Sequence, residues 1–237
     1  MTRSVKICRV QLSLEEMREI VSEVGCCIAG QTESLCPADR LMYAARDVTN
    51  TVGCLGLIVS SIISKKAAEG INHLVLDVKW GSGCYQESLE QAEHLAEALV
   101  QVRPVTAKHS ILDFSFLQTS ASVGVKTVAV ISQMESPLGR CVGNSLEVRE
   151  SLDCLRGGGA RDLRELVVLE GGLVLLSSNT VTSLEEGKQR IASVLDSGAA
   201  MKKFEQMMKK QVSVVFIHLS SQTADRSISC QDYKKSI

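Results

Sequence analysis

Two neighbouring segments of the 237-residue chain carry polar side chains at helical spacing. Ser61 and Lys65 are four residues apart, so on a helix they lie side by side. Tyr43 and Arg46 are three residues apart on the preceding segment, which separates them by one turn. Guanidinium and ammonium groups donate hydrogen bonds to carbonyl oxygens, and a hydroxyl can serve a ring nitrogen. The pattern suits a clamp on a planar, oxygen-rich ligand, although lysine and serine are also ordinary residues of solvated helix faces.

The helices that carry these side chains are predicted from hydrophobic periodicity and from end signals. Ser13 and Glu16 form a capping box ahead of one helix, and Gly25 and Gly70 are stop signals. Asn144 is the expected cap of the helix predicted over residues 145–155. The cap of the following helix is expected near Asp162. The predicted helices cover residues 14–24, 38–48, 55–69, 88–102, 145–155, 162–176, 183–195 and 199–210.

Two β-rich runs predict a parallel sheet. Residues 73–79 form a compact strand pattern, a glycine turn and the helix over 88–102 follow, and residues 126–132 supply the next strand. Strand, helix and strand in this order indicate a β-α-β unit with parallel pairing. A shorter buried strand is predicted over Cys26–Ala29. The predicted class is α/β, rich in helix.

Asp77 ends the first strand, and Gly81 and Gly83 lie in the loop after it, which is where open α/β sheets bind ligands. A dinucleotide fingerprint would need a third glycine at position 86, where this chain has Gln86. The acidic residue expected about 20 positions further on is also missing, because position 101 is Gln. A nicotinamide-dependent oxidoreductase is therefore disfavoured, and a glycine turn that merely joins strand to helix is the commoner explanation.

Composition excludes several other classes. The chain has 26 Lys and Arg against 27 Asp and Glu, so its net charge of -1 gives no electrostatic reason to expect nucleic acid or an acidic membrane as partner. No apolar run approaches the roughly 18 residues that span a bilayer, and no secretory signal pattern begins the chain. Nine cysteines without CxxC pairs and four scattered histidines suggest neither disulfides nor a metal site. A cytosolic chain with reduced thiols is expected.

Two segments fit the α/β scheme poorly. Residues 103–120 lie within the crossover, where only a short connection is needed, and read as an insertion. Residues 212–219 have a strand-like pattern, but the polar, aperiodic sequence after them predicts a poorly ordered tail over 212–237.

Four further blocks of sequence are distinctive: PADRLMYAARDVTNTV (37–52), SSIISKKAAEG (60–70), LVLDVKWGSG (74–83) and PLGRCVGNSLEV (137–148). Together they resemble the thymidine phosphorylase and pyrimidine-nucleoside phosphorylase family in its animal form. The resemblance covers about residues 12–102 and 121–211. It implies a nucleoside phosphorylase or phosphoribosyltransferase-type α/β lobe, here incomplete, with a small helical lobe that holds the pyrimidine and makes a homodimer contact.

The resemblance also implies site residues and a reaction. The family's pyrimidine-binding arginine, serine and lysine fall on Arg46, Ser61 and Lys65, with Tyr43 beside them. Asp39 and Asp77 match acidic positions that line the cleft and are expected to have supporting roles. The implied reaction is reversible phosphorolysis of thymidine to thymine and 2-deoxy-α-D-ribose 1-phosphate, with Arg46 and Lys65 as catalytic cations, inorganic phosphate as co-substrate, and no metal or other cofactor.

The chain also departs from the family pattern. The family's glycine-rich signature and its phosphate-holding lysine, serines and threonine have no counterpart here, and the C-terminal lobe is replaced by the divergent tail. The expected organisation is the start of the α/β lobe over 1–37, the helical lobe over 38–68, the α/β lobe over 69–211 and the tail over 212–237. A second function therefore stays open, that of a catalytically inactive fragment that keeps only pyrimidine binding or dimer contacts.

Overall fold

A computed structural model describes residues 9–30, 37–100 and 124–211 of the chain. These residues form eight α-helices and two β-strands, which confirms the α/β class. The predicted insertion at 103–120 and the predicted tail at 212–237 lie outside the described residues. The elements are α1 (Leu14–Val24), α2 (Pro37–Thr49), α3 (Leu55–Ala68), β1 (His73–Trp80), α4 (Leu89–Val100), β2 (Lys126–Gln133), α5 (Asn144–Leu155), α6 (Arg161–Ser177), α7 (Leu184–Asp196) and α8 (Ala199–Gln211).

The described residues belong to two compact units. The first unit takes the described residues of 1–37, 140–158 and 194–237, and the second takes those of 38–139 and 159–193. Each unit is therefore built from stretches that are distant in sequence. The lobe boundaries expected from the sequence stay a prediction.

The second unit is organised around the parallel pair of β1 and β2, as predicted. The register places His73 beside Lys126 and Trp80 beside Gln133. Because side chains alternate along a strand, Leu76, Val78 and Trp80 share one face of β1, and this face packs against α4 and α3. That cluster contains Val78, Ala92, Leu95, Ala96 and Leu99 at its centre, with Ile58, Val59, Ile62, Ile63, Leu76, Trp80 and Ala129 around it.

The opposite face of the strand pair contacts α6, and α6 lies close to α7. Glycines make this approach possible, since a Cβ on Gly187 would lie 2.7 Å from the main-chain oxygen of Gly172. A Cβ on Gly171 would in turn meet the Ile191 side chain at 2.8 Å. The two helices are thus in backbone contact at the glycine positions.

Helix α1 anchors the core of the first unit. Its capping box is present as predicted, with the Ser13 hydroxyl accepting from the Glu16 main-chain N–H at 3.1 Å, and Gly25 ends it at a φ of +91°. The helix buries Ile20 and Val24 against Met207 and Met208 of α8. This amphipathic packing stabilises α1 more than its intrinsic helix propensity does.

The strand predicted over Cys26–Ala29 is wrong, because these residues form no β-ladder. Their hydrogen-bond partner is the side-chain amide of Gln211, which accepts from the Ile28 N–H at 2.9 Å and donates to the Ile28 carbonyl at 2.7 Å. Among the described residues, main-chain pairing next to this segment joins the Gly30 N–H to the Val10 carbonyl. A buried glutamine therefore satisfies the backbone groups that a neighbouring strand would have satisfied.

Two predicted helix caps also differ. Helix α6 begins at Arg161, after Ala160, so the expected cap Asp162 lies inside its first turn. Helix α5 begins at Asn144 itself, so the position before it is Gly143, and no side chain caps the first turn through a hydroxyl or amide. The Glu147 carboxylate instead accepts from the Gly143 N–H at 3.1 Å. The expected cap residue is thus the first residue of the helix. Among the helices of the described residues, none is both long and apolar enough to cross a membrane.

Candidate functional site

The structure brings Asp39, Ser61 and Lys65 into direct contact. The Lys65 Nζ lies 2.9 Å from Asp39 Oδ2 and 3.0 Å from Ser61 Oγ. Asp39 and Ser61 are buried, and the Lys65 side chain keeps 29% of its surface exposed. Asp39 comes from the first turn of α2, and the other two residues lie one turn apart on α3. The ammonium group is therefore held between two partners, and part of the Lys65 side chain is exposed to solvent.

Asp39 is ionised although it is buried. Burial alone would raise the pKa of this carboxyl, but hydrogen bonds from Ser61 and Lys65, together with the positive charges of Lys65 and Arg46, lower the pKa below its ordinary value. A carboxyl with a lowered folded-state pKa stabilises the fold above its ordinary titration range, and this contribution is lost as the pH falls through the folded-state pKa. At neutral pH the ion pair between Asp39 and Lys65 is intact.

Arg46 lies on the same buried face of α2 as Asp39, seven residues further on. Its guanidinium donates to the main-chain carbonyls of Val52 and Leu57, so it fastens the α2–α3 connection to α3. The Arg46 Nε is buried and has no hydrogen-bond partner among the described residues. The half-exposed Tyr43 ring lies 5.3 Å from the guanidinium carbon, within the range of a cation–π contact.

Asp77 lies apart from these residues. It is on the face of β1 opposite to Val78 and Trp80, and its carboxylate accepts from the Ser132 hydroxyl at 2.6 Å and pairs with the Lys79 Nζ at 2.5 Å. The nearby Glu170 of α6 has a raised pKa, because burial and the negative charge of Asp77 outweigh the effect of Lys79. This second cluster crosses the strands and reaches α6. The expected supporting role of Asp77 stays a prediction.

The glycine loop after β1 is braced by the residues that follow β2. The Gly83 N–H donates to the Met134 carbonyl at 3.0 Å, and the Ser82 hydroxyl donates to Glu135 at 2.8 Å. Gly81 has a φ of +128°, and a Cβ there would lie 2.6 Å from the Met134 oxygen. Both observations favour a turn that packs against the neighbouring loop. In the described part of the chain, no three His, Cys, Asp or Glu side chains converge in a way that would hold a metal ion.

Sequence reasoning placed Ser61 and Lys65 together but did not pair Asp39 with them. The signal was available, because Asp39 and Arg46 are seven residues apart and so share one face of α2. What the sequence could not supply was the approach of α2 to α3, which turns two helix faces into one cluster. The roles expected for these side chains in ligand binding stay predictions.

Comparison with known protein families identifies the chain. Residues 4–201 match the family described as "Glycosyl transferase family, a/b domain". The chain belongs to this glycosyl transferase family. The match covers most of the chain and agrees with the α/β architecture of the described residues. The matched range includes the six site residues expected from the sequence, which are Asp39, Tyr43, Arg46, Ser61, Lys65 and Asp77.

Curated relatives within the glycosyl transferase family are phosphorylases, as the resemblance predicted. The chain is 44% identical to thymidine phosphorylase of Homo sapiens over 199 residues. The aligned region covers 84% of this chain and 38% of the relative. It is 44% identical over 202 residues to thymidine phosphorylase of Mus musculus, covering 85% of this chain and 39% of the relative. It is 40% identical over 215 residues to pyrimidine-nucleoside phosphorylase of Staphylococcus haemolyticus, covering 90% of this chain and 46% of the relative. The chain thus spans less than half the length of these relatives.

Proposed function

We propose that this chain binds the base of a pyrimidine nucleoside in a phosphorylase, and that the reaction is the reversible phosphorolysis of thymidine to thymine and 2-deoxy-α-D-ribose 1-phosphate. The observation that carries the proposal is the cluster in which Lys65 contacts Ser61 and Asp39, with Arg46 on the same helix face as Asp39. The identity of 40–44% to thymidine and pyrimidine-nucleoside phosphorylases supports the same assignment. Substrate and reaction are proposed for the protein that contains these residues.

The proposed chemistry is electrostatic. When phosphate attacks the anomeric carbon, the base departs with negative charge, which spreads onto its carbonyl oxygens. Arg46 and Lys65 are the catalytic cations in this proposal, since N–H donors near these oxygens stabilise the developing charge more than the neutral substrate. Ser61 meets the ring nitrogen between the carbonyls, and Tyr43 lies beside the base. No covalent intermediate with the protein is required.

We infer that inorganic phosphate is the co-substrate and that the reaction uses no further cofactor. The attacking phosphate must be held in line with the departing base. The protein therefore contributes by positioning the phosphate more than by activating it as a nucleophile. A cytosolic location is part of the proposal, because the nine cysteines show no disulfide or zinc-binding spacing. The partners proposed are small molecules, with neither nucleic acid nor membrane.

A homodimer contact through α2 is also part of the proposal. Leu41 and Val48 are seven residues apart on this helix and are 73% and 88% exposed, so they form an apolar stripe away from the buried Asp39 and Arg46. An exposed apolar stripe of this kind is typical of an interaction surface. Light scattering coupled to size exclusion tests the contact, since Val48→Glu is expected to reduce the apparent mass to that of one chain.

One assay separates the two functions that the sequence left open. Thymine release from thymidine is measured with and without inorganic phosphate for the 237-residue chain, for Lys65→Met and for the neighbouring control Lys66→Met. Turnover that needs phosphate and falls about a hundredfold in Lys65→Met, the usual effect of removing one such donor, supports the phosphorylase. Thymine binding without turnover supports the alternative, a non-catalytic chain that keeps pyrimidine binding. Absence of both thymine binding and turnover would contradict the phosphorylase and would leave dimer contacts as the only remaining form of the alternative.

A further inference from the structure

Two cysteines of the first unit are adjacent in sequence. Cys26 and Cys27 follow Gly25, which ends α1, and no other two cysteines of the chain are neighbours. Both are free thiols that are partly buried, and both pack against the apolar cluster that joins α1 to α8. The two sulfurs therefore belong to one small region that keeps some exposure to solvent.

Side chains of α8 hold the backbone on both sides of this pair. Before the pair, the Lys203 Nζ donates to the Val24 carbonyl at 2.9 Å. After the pair, the Gln211 side-chain amide accepts from the Ile28 N–H and donates to the Ile28 carbonyl. Because the main chain is held before and after the two cysteines, little conformational freedom is lost when both sulfurs engage one ligand.

Covalent geometry favours a bridge through an added atom over a direct disulfide. Consecutive Cα atoms are about 3.8 Å apart, whereas disulfide-linked cysteines usually have Cα atoms about 4.4–6.8 Å apart. A disulfide between Cys26 and Cys27 would therefore be strained. An atom that binds both sulfurs lengthens the link between them and relaxes this constraint.

The surroundings of the pair favour a ligand that forms a neutral product. Burial raises the pKa of the Cys27 thiol, and the neighbouring Cys26 adds to this effect. A soft cation such as Cu(I) that is held by two thiolates leaves a net negative charge against an apolar cluster, which carries a cost in free energy. A trivalent arsenic atom with one organic substituent and two thiolates is uncharged.

We propose that Cys26 and Cys27 form a dithiol site for trivalent arsenicals. The arsenic of a monosubstituted arsine oxide, R–As=O, forms two As–S bonds while its bond to oxygen and the two S–H bonds break. The oxygen leaves with both protons as water. Arsenic stays trivalent, so no oxidant or reductant is consumed. The site does not depend on the proposed function, because Asp39, Ser61 and Lys65 belong to the second unit.

The probe is phenylarsine oxide, added in equimolar amount to the reduced chain and to the variants Cys26→Ser, Cys27→Ser and Cys54→Ser. Mass spectrometry of the intact chain detects the adduct, and competition with 1,2-ethanedithiol gives its relative affinity. Cys54→Ser is the matched control, since Cys54 is exposed and has no cysteine next to it in the sequence. Circular dichroism of each variant measures the folded fraction to which the affinities are referred.

We expect one adduct on the unchanged chain and on Cys54→Ser. Its affinity should fall at least about a hundredfold in Cys26→Ser and in Cys27→Ser, because each variant loses one thiol of a linked pair. An adduct of unchanged affinity in either of these two variants overturns the proposal, and so does the absence of an adduct on the unchanged chain.

A second measurement tests whether the folded structure contributes to the site. The competition is repeated in urea at a concentration that unfolds the chain. We expect the affinity to fall at least about tenfold, because unfolding releases the backbone that Lys203 and Gln211 hold. Equal affinities of the folded and unfolded chain would contradict a site formed by the tertiary structure.

Discussion

A buried charge is tolerated at the centre of the candidate site because each of its neighbours is a donor. Asp39 is only 8% exposed, and taking a carboxylate out of water carries a large cost in free energy unless it is paired and hydrogen-bonded. Lys65 donates a hydrogen bond to it, and Lys65 is in turn held by Ser61. The same contacts that make the fold tolerate Asp39 also hold the ammonium and hydroxyl groups in place.

Removal of Lys65 should therefore destabilise the fold as well as the site. In Lys65→Met the Asp39 carboxylate stays buried without its ion pair, and we expect the free energy of unfolding at pH 7 to fall by about 1–3 kcal/mol. Urea denaturation measures it. Lys66→Met, which breaks a solvent-exposed pair with Glu69, should change it by less than about 0.5 kcal/mol. Equal effects of the two substitutions would contradict the description of Asp39 as a buried, paired charge.

Glu170 is the opposite case, a carboxyl whose folded-state pKa is raised. Between the ordinary pKa of a glutamate and this raised value, the folded state binds more protons than the unfolded state, so stability falls as the pH rises through that window. Glu170→Gln removes the free-energy cost of ionising this partly buried carboxyl group beside Asp77. The variant should be more stable than the unchanged chain at pH 7, and the advantage should shrink as the pH falls through the ordinary carboxyl range.

Thermal unfolding at a series of pH values measures this difference. Glu165→Gln is the control, because Glu165 lies on the same helix but is largely exposed and pairs with Arg161 at i and i+4. A Glu170→Gln variant that is equally stable or less stable than the unchanged chain at pH 7 would contradict the prediction.

At the scale of elements, helices α6 and α7 meet through glycines, whereas α3 meets its neighbours through branched side chains. Gly187 contacts the main chain of Gly172, and backbone atoms cannot move aside for an added methyl group as a flexible side chain can. Ile58 and Ile62 of α3 instead pack against the β1–α4 core. This second contact sets the position of the helix that carries Ser61 and Lys65.

Two glycine-to-alanine substitutions should have opposite effects. Gly187→Ala forces α7 away from α6, and we expect a loss of about 1–3 kcal/mol in the free energy of unfolding. Gly56→Ala, within α3 and with open space around the added methyl, should stabilise by about 0.5–1 kcal/mol because alanine restricts the unfolded chain. Both values come from urea denaturation. Loss of stability in Gly56→Ala, or none in Gly187→Ala, would disagree with the helix packing described above.

At the scale of the whole molecule, contacts between distant parts of the sequence complete each unit. Gln211, at the end of α8, is almost fully buried and donates to the carbonyls of Arg9 and Ile28. It also accepts from the Ile28 N–H, so a single side chain satisfies three main-chain groups near the beginning of the chain. The first unit is therefore closed by residues about 200 positions apart.

Gln211→Leu keeps the bulk of this side chain but removes its amide. Three partly buried backbone groups then lose their partner, and we expect the free energy of unfolding to fall by about 1–3 kcal/mol. Amide hydrogen exchange should show faster exchange at Ile28, whose N–H loses its acceptor. The control Lys210→Ala, at an exposed position that pairs with Glu23, should leave exchange at Ile28 unchanged. Unchanged protection of Ile28 in Gln211→Leu would contradict this role.

Local patterns in the sequence were sufficient for most helices, for the parallel pairing of β1 and β2, and for the placement of Ser61 beside Lys65. These features depend on residues that are neighbours along the chain or on periodicities of 2 and 3.6 residues, which a sequence displays directly. The same reasoning failed at Cys26–Ala29, where an apolar run looked like a strand. Its hydrogen-bond partner proved to be a side chain some 180 residues away.

The tertiary structure alone decided which polar groups meet. It joined Asp39 and Ser61 through Lys65. It placed Asp77 beside Ser132, on the face of β1 that is turned away from α3 and α4. It also directed the Arg46 guanidinium to the carbonyls of Val52 and Leu57. Helix spacing determines the face on which a side chain lies, but the partner across that face depends on how the apolar surfaces of several elements pack together. Burial and ionisation follow from that packing, so they could not be read from residue types alone.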